Sequence, residues 1–384
     1  MKRWLLVLAV LLPFPVIASR VQEQPGLRGS VREDTSSTRE AGNVPAEPGG
    51  SPPTRSASGP EPDALPQTSK PAKSKKPKEP PKPPIEGSMV GYIDNAIVGS
   101  QVRVRFDAAF HNNAPDRAEF FYPQCSCING PGPNSVVANL NFQQFYLRGE
   151  YAATRRLSFF TEIPVRWIQP QLEITPSDSS PFPNQAGLSD IAAGFKLAAV
   201  ASSNEYLTFQ FQAYFPSGNG SRGLGTKHYS VEPALLYYRK LSDRVTLEAE
   251  LGDLHPIGGS SCLQPCNTGL PVAQPPKSEG FAGDVFFYGV GPSYVLYRGE
   301  NVRIAPAIEL VGWRVLGGFE TNQPNAAKDV QKAVSADGTN IVNLKVGART
   351  SLGRSNSFYL GFGQAVTHSV WYEHIVRAEY RYSF

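Results

Sequence analysis

Beyond its first eighteen residues the chain has no apolar run long enough to cross a membrane as a helix, which needs about 20 apolar residues. Any membrane residence must therefore come from strands. Aromatic residues are absent from Ser19 to Met89, so that stretch cannot bury enough apolar surface to offset the entropy of ordering it. No charge of one sign dominates: a formal net charge of +4 with 18% charged residues gives no support to a nucleic-acid partner. No glycine-rich strand-to-helix turn is present to cradle a phosphate, because Gly218-Asn219-Gly220 and Gly223-Leu224-Gly225 fall between strands. The histidines His111, His255, His368 and His374 are scattered at loop edges without chelating spacing, and the sequence points to no metal and no cofactor.

The amino-terminal 18 residues carry Lys2 and Arg3, an apolar core from Trp4 to Leu12, and Val16-Ile17-Ala18 before a cleavage site. This is the pattern of a signal peptide. Residues 19–88 are rich in Pro, Ser, Gly, Lys and Glu, ending in a Lys/Pro-rich run from Ser69 to Pro84. They read as a disordered periplasmic linker of stiff, extended geometry. Its lysines invite an anionic cell-wall polymer as partner, against the plainer reading of a solvated spacer.

Residues 89–384 are different. At the carboxyl end, Val376, Ala378, Tyr380, Tyr382 and Phe384 alternate with Arg377, Glu379, Arg381 and Ser383, which is a strand with one apolar and one wet face. About twelve such segments are expected, near 100–110, 141–153, 157–168, 188–200, 206–216, 228–240, 244–254, 283–298, 302–316, 340–352, 357–367 and 374–384. Tight connections such as Thr154-Arg155-Arg156 alternate with long gaps at 111–140, 169–187, 217–227, 255–282 and 317–339. Short turns on one side and long loops on the other define an all-β fold, an up-and-down antiparallel transmembrane β-barrel. Leu207, Phe209, Phe211, Ala213 and Phe215 oppose Thr208, Gln210, Gln212 and Tyr214, and the apolar row is assigned to lipid because hydrocarbon cannot satisfy charges. The segment 283–298 is apolar at both parities, so its faces stay unassigned.

That parity gives the interior Arg103, Arg105, Asp107, Arg148, Glu150, Glu162, Arg166, Asp190, Lys196, Glu232, Glu248, Glu250, Arg303, Glu309, Lys345, Arg349, Arg377, Glu379 and Arg381. The signs nearly balance, whereas a selective ion pore shows rings of one sign, so a salt-bridge network lining or partly filling a narrow lumen is expected. A twelve-strand bore lies between a filled eight-strand barrel and an open sixteen-strand one. Infolded loops, 111–140 and 255–282 foremost, would then decide whether anything passes. Trp167, Trp313, Trp371, Tyr372, Tyr237, Tyr238 and Tyr382 near strand ends read as interfacial belts. Cys125, Cys127, Cys262 and Cys266 lie in two expected external loops and are disulfide candidates of open connectivity, with a zinc site as the alternative. His228, Ser230 and Glu232 share a face, and a Ser-His-acid lipid hydrolase is the remote catalytic reading.

The stretch Gly187-Leu188-Ser189-Asp190 with Gly194-Phe195-Lys196, followed by Tyr214-Phe215-Pro216-Ser217-Gly218, resembles the outer-membrane barrels of the meta-pathway phenol-degradation family. Pro115-Asp116-Arg117 and Glu309-Leu310-Val311-Gly312-Trp313 are similar to envelope barrels of planctomycete type. The resemblance implies an outer-membrane, porin-like transporter for small, hydrophobic or aromatic solutes, and no enzyme. It also implies that Tyr380, Tyr382 and Phe384 form the signal read by the barrel-assembly machinery, with outer-membrane lipid as the other partner. A structural or cell-wall-anchoring barrel with a closed lumen is the alternative.

Overall fold

A computed structural model describes residues 87–114, 121, 132–133, 136–174, 182–258, 281–321, 333–368 and 370–384. The expected signal peptide, the expected linker up to residue 86 and all four cysteines lie outside them. Twelve long strands form the wall: β1 (Gln101–Asn112), β2 (Val136–Ala152), β3 (Leu157–Ile174), β4 (Ile191–Ala201), β5 (Glu205–Phe215) and β6 (Tyr229–Lys240), followed by β7 (Val245–Ile257), β8 (Val285–Tyr294), β9 (Val302–Val315), β10 (Asn340–Leu352), β11 (Asn356–Ala365) and β12 (His374–Ser383). Each pairs antiparallel with its sequence neighbour, and β12 pairs with β1 from Gln101 opposite Ser383 to Phe110 opposite His374. The ladder is therefore closed. Hydrocarbon offers no hydrogen-bond partner to an open sheet edge, and closure leaves none.

The short turns share a device that the sequence already contains. Thr154 Oγ1 accepts from the backbone N–H of Arg156 and Leu157 at 3.1 and 3.0 Å, and Ser202 Oγ accepts from Asn204 and Glu205 at 3.3 and 3.0 Å. Ser242 Oγ does the same for Arg244 and Val245 at 3.3 and 3.1 Å. A hydroxyl at the first turn position thus takes the two N–H groups that the ladder leaves over. In the β10–β11 turn Gly353 supplies φ +65°, a conformation that side chains with a Cβ resist.

The faces sort as hydrocarbon demands. Val102, Phe106, Phe159, Phe209, Leu251, Val290, Ile308, Val346, Leu360 and Val376 point outward, while Thr208, Gln210, Glu309, Asn343 and Arg349 are buried inside. In β8 the ambiguity of parity resolves with Phe286, Val290 and Tyr294 outside and Val285, Gly289, Gly291 and Ser293 inside.

Three boundaries differ from the sequence reading. The β2–β3 hairpin is longer, running from Val136 opposite Ile174, because the pair continues as its own ladder through Asn139, Asn141 and Gln169, whose polarity conceals the alternation. Residues 188–200 break at Ser189-Asp190, where Gln185–Leu188 is a separate piece of strand on β3. Residues 283–298 likewise end their first strand at Tyr294, and Tyr297–Arg298 pairs only with β9.

The aromatic belts need correction. Trp167 and Tyr382 are exposed outside, but Tyr238, Trp371 and Tyr372 are buried inside, and Trp313 packs against an interior cluster. Proximity to a strand end does not fix parity or the direction in which a loop folds.

The outward assignment has a quantitative consequence. Val346 lies midway along β10 and is 46% exposed on the outer face, so Val346→Arg is expected to destabilise the folded barrel by about 2–4 kcal/mol. Urea titration in lipid bilayers measures this; an unchanged midpoint would place that face away from lipid.

Candidate functional site

The interior is not an empty bore. Residues 88–98 enter it as a re-entrant loop, with Met89, Val90, Tyr92, Ile93, Ala96, Ile97 and Val98 all buried. Gly87 and Ser88 at one end and Gly99 and Ser100 at the other lie at the same mouth, beside the turns that carry Thr154, Gly299 and Gly353. The loop therefore rises from the short-turn end, reaches its apex near Tyr92 and returns to start β1.

The loop is held by charge. The Glu309 carboxylate, fully buried, accepts from three successive backbone N–H groups: Gly91 at 2.9 Å, Tyr92 at 2.7 Å and Ile93 at 2.9 Å. Tyr359 Oη donates to the same carboxylate at 3.0 Å. Met89 N–H donates to Glu248 at 2.9 Å and Asp94 N–H to Glu250 at 2.8 Å.

The loop carbonyls face the cationic side chains. Val90 O accepts from Arg349 at 2.8 Å, Gly91 O from Arg377 at 2.6 Å and Asn95 O from Lys196 at 2.9 Å, while Thr208 Oγ1 donates to Ala96 O at 2.6 Å. An acidic wall on β7 and β9 thus takes amide hydrogens, and cations on β4, β10 and β12 take amide oxygens. Hydrogen bonds to ionised partners are about twice as strong as neutral ones.

Space for the loop is made by absent side chains. A Cβ at Gly289 would lie 3.0 Å from Ile93, and one at Gly291 3.0 Å from both Ile93 and Val90. At the apex the Tyr92 ring lies under Lys345 Nζ at 4.1 Å and the Arg377 guanidinium at 4.3 Å, with Tyr359 edge-on at 6.0 Å. Lys345 also approaches the Trp313 and Tyr372 rings at 5.3 and 5.5 Å, so it makes cation–π contacts in place of an ion pair.

The remaining expected residues divide into three groups. True ion pairs form around β1 and its neighbours: Arg377 grips Asp107 through two bonds of 2.7 Å, and Arg103, Arg105 and Arg148 lie 3.1, 3.4 and 3.8 Å from Glu162. Lys196 meets Glu150 at 3.1 Å, and Arg349 and Arg381 share Glu379 at 2.8 and 3.0 Å. Glu248, Glu250 and Glu309 have no ion pair within 4.0 Å among the described residues and bond the loop backbone.

Three other positions are set apart. Asp190 accepts from Thr226 N–H at 2.7 Å and Gly218 N–H at 2.9 Å, pinning the loop between β5 and β6 near the wall top. Arg303 stands half-buried at the short-turn mouth. Arg166 donates to Gln144 at 2.8 Å and covers the Phe121 ring.

The long-loop half of the interior holds an apolar cluster. Phe121, Phe142, Ile168, Phe182, Leu224, Trp371 and Tyr372 pack there in one cluster, so side chains from several loops do turn inward.

The hydrolase constellation does not assemble toward lipid. Ser230 and His228 are buried inside, and Glu232 accepts from Tyr214 Oη at 2.8 Å. The structure does gather one group that the sequence left scattered: ligand atoms of Asp253, His255 and Asp284 lie within 4.8 Å of one another at the β7–β8 long-loop end, with His255 Nδ1 2.6 Å from Asp284. These side chains are part-exposed and lie away from the lumen loop.

The re-entrant loop is the feature that sequence reading missed. Met-Val-Gly-Tyr-Ile-Asp-Asn-Ala-Ile-Val has no period-two alternation, yet it is apolar directly after a long polar linker, and that change of composition was the available signal.

No family model matches the sequence, and no curated protein matches it. Among solved structures the chain is similar to an outer membrane channel from Pseudomonas putida F1, at 13% identity over 75% of this chain and 96% of that one, with a TM-score of 0.47. It is also similar to the beta domain of the Bordetella autotransporter BrkA, at 12% identity over 74% and 100% with a TM-score of 0.43. The translocator domain of the autotransporter NalP from Neisseria meningitidis matches at 10% identity over 75% and 89%, with a TM-score of 0.36. At such similarity none of their roles transfers to this chain.

The Glu309 contacts yield a test. Glu309→Ala leaves three buried N–H groups unsatisfied, each costing about 1–3 kcal/mol before water enters. Amide exchange at Gly91, Tyr92 and Ile93 is expected to accelerate about a hundredfold while the strand amides stay protected. Unchanged exchange would mean that the carboxylate does not hold the loop.

Proposed function

We propose that the chain is an outer-membrane, porin-like barrel for passive passage of small solutes, closed at rest by the loop 88–98. The supporting observation is how that loop is bound: its backbone is not a strand of the sheet, and side-chain carboxylates, guanidiniums and one ammonium hold it. Such bonds exchange for water when the loop withdraws, whereas a wall strand cannot leave without opening the barrel edge. The wall left behind is charged and hydrogen-bonding, which favours polar solutes over the hydrophobic or aromatic cargo suggested by the phenol-degradation resemblance. The short-turn mouth, with the loop ends and the linker, faces the periplasm in this reading. Tyr380 and Tyr382 on β12, with Phe384 directly after it, are the assembly signal, and the closing register with β1 is consistent with that role.

A second reading, a structural barrel whose lumen never opens, draws support from the apolar cluster in the long-loop half. Planar-bilayer recording of the full chain separates the two. The wild type is expected to show rare, brief openings, and a Tyr92→Ala, Glu309→Ala double variant long-lived steps of higher conductance. Silence from both, with β-structure and heat-modifiable migration intact, would favour the structural barrel.

A further inference from the structure

The short-turn mouth contains a cavity of about 740 Å³. Arg155, Arg298, Arg303, Arg349, Arg354 and Arg381 line it, and among the described lining residues the one acidic side chain is Glu300. This concentration is local, because over the whole interior the signs nearly balance. Arg155, Arg298 and Arg354 form an exposed rim, Arg303 is half-buried, and Arg349 and Arg381 form the floor. Arg298 reaches outward to Asp243 O at 2.9 Å, so it contributes field more than contact.

The floor is under-neutralised. Arg349 and Arg381 both bond the same Glu379 oxygen, and Arg103 approaches its other oxygen at 3.8 Å. One carboxylate thus serves three guanidiniums, although Arg103 has Glu162 as well. The Arg349 and Arg381 side chains are 1% and 7% exposed. Guanidinium forks suit planar or tetrahedral oxyanions. Ser351, Ser355 and Ser357 add hydroxyls to the same walls.

We infer that this vestibule is a binding site for a multivalent oxyanion, a small solute bearing phosphate or several carboxylates. The inference deepens the proposed channel reading by naming the class of solute gathered at its short-turn mouth. Binding itself does not require the lumen to open.

Calorimetric titration of the detergent-solubilised full chain with pyrophosphate and, separately, with citrate tests the site at low ionic strength. One anion per chain is expected to bind, weakening steeply with salt. Whichever of the two anions binds more tightly identifies the favoured source of charge. Arg303→Gln with Arg354→Gln is expected to weaken binding about tenfold or more, equivalent to about 1.4 kcal/mol. Circular dichroism checks the fold. Lys227→Gln, exposed at the long-loop end, is expected to leave affinity unchanged. Absence of heat with both anions, or equal weakening by Lys227→Gln, would overturn the site. Conductance of the loop-released variant without anion binding would leave the channel reading standing and remove this one.

Discussion

Hydrocarbon provides no partner for an amide, and the rest of this structure follows from that constraint. The ladder must close, so β12 returns to β1 in continuous register. Once closed, the outward row must be apolar along the middle of the wall, and the charges there are turned inward, while Glu205, Arg239, Asp253 and Arg314 keep to the outer row near strand ends. Twelve strands enclose more space than facing side chains fill but less than an open porin contains. The inward charges are therefore crowded, and they need partners other than bulk water.

Partnership is solved in two ways within one lumen. Around β1, β2 and β12 guanidiniums and carboxylates face each other directly, as in the Arg377–Asp107 pair. On β7 and β9 the carboxylates Glu248, Glu250 and Glu309 make no such pair among the described residues and accept amide hydrogens of the entering loop. A peptide carries a donor and an acceptor on opposite sides, so a single segment can bridge an acidic wall and a basic one. Burying a carboxylate without partners costs several kcal/mol. The loop is thus as much a counter-charge as a stopper, and a vacant lumen would need water to replace it.

Much of this was legible from residues alone. Period-two alternation, turn spacing and the aromatic final strand specified the closed barrel and its inside-out sorting, because hydrocarbon imposes that pattern on every strand. In β8 the pattern failed for a physical reason: Gly289 and Gly291 give up side chains to admit Val90 and Ile93, so no polar row marked the inner face. The charged list was readable as interior but not as a circuit. Glu309 and Lys345 stand opposite each other in the β9–β10 register, yet one bonds backbone and the other sits among rings. Such choices depend on a segment with no periodicity of its own.

Because the loop enters and leaves through one mouth, its topology is that of a bight of rope, not a threaded cord. No chain end has to travel the length of the barrel for the segment to seat or unseat. The wall can finish closing first and receive its filling afterwards, and the same short path is available in reverse without breaking a single rung of the sheet.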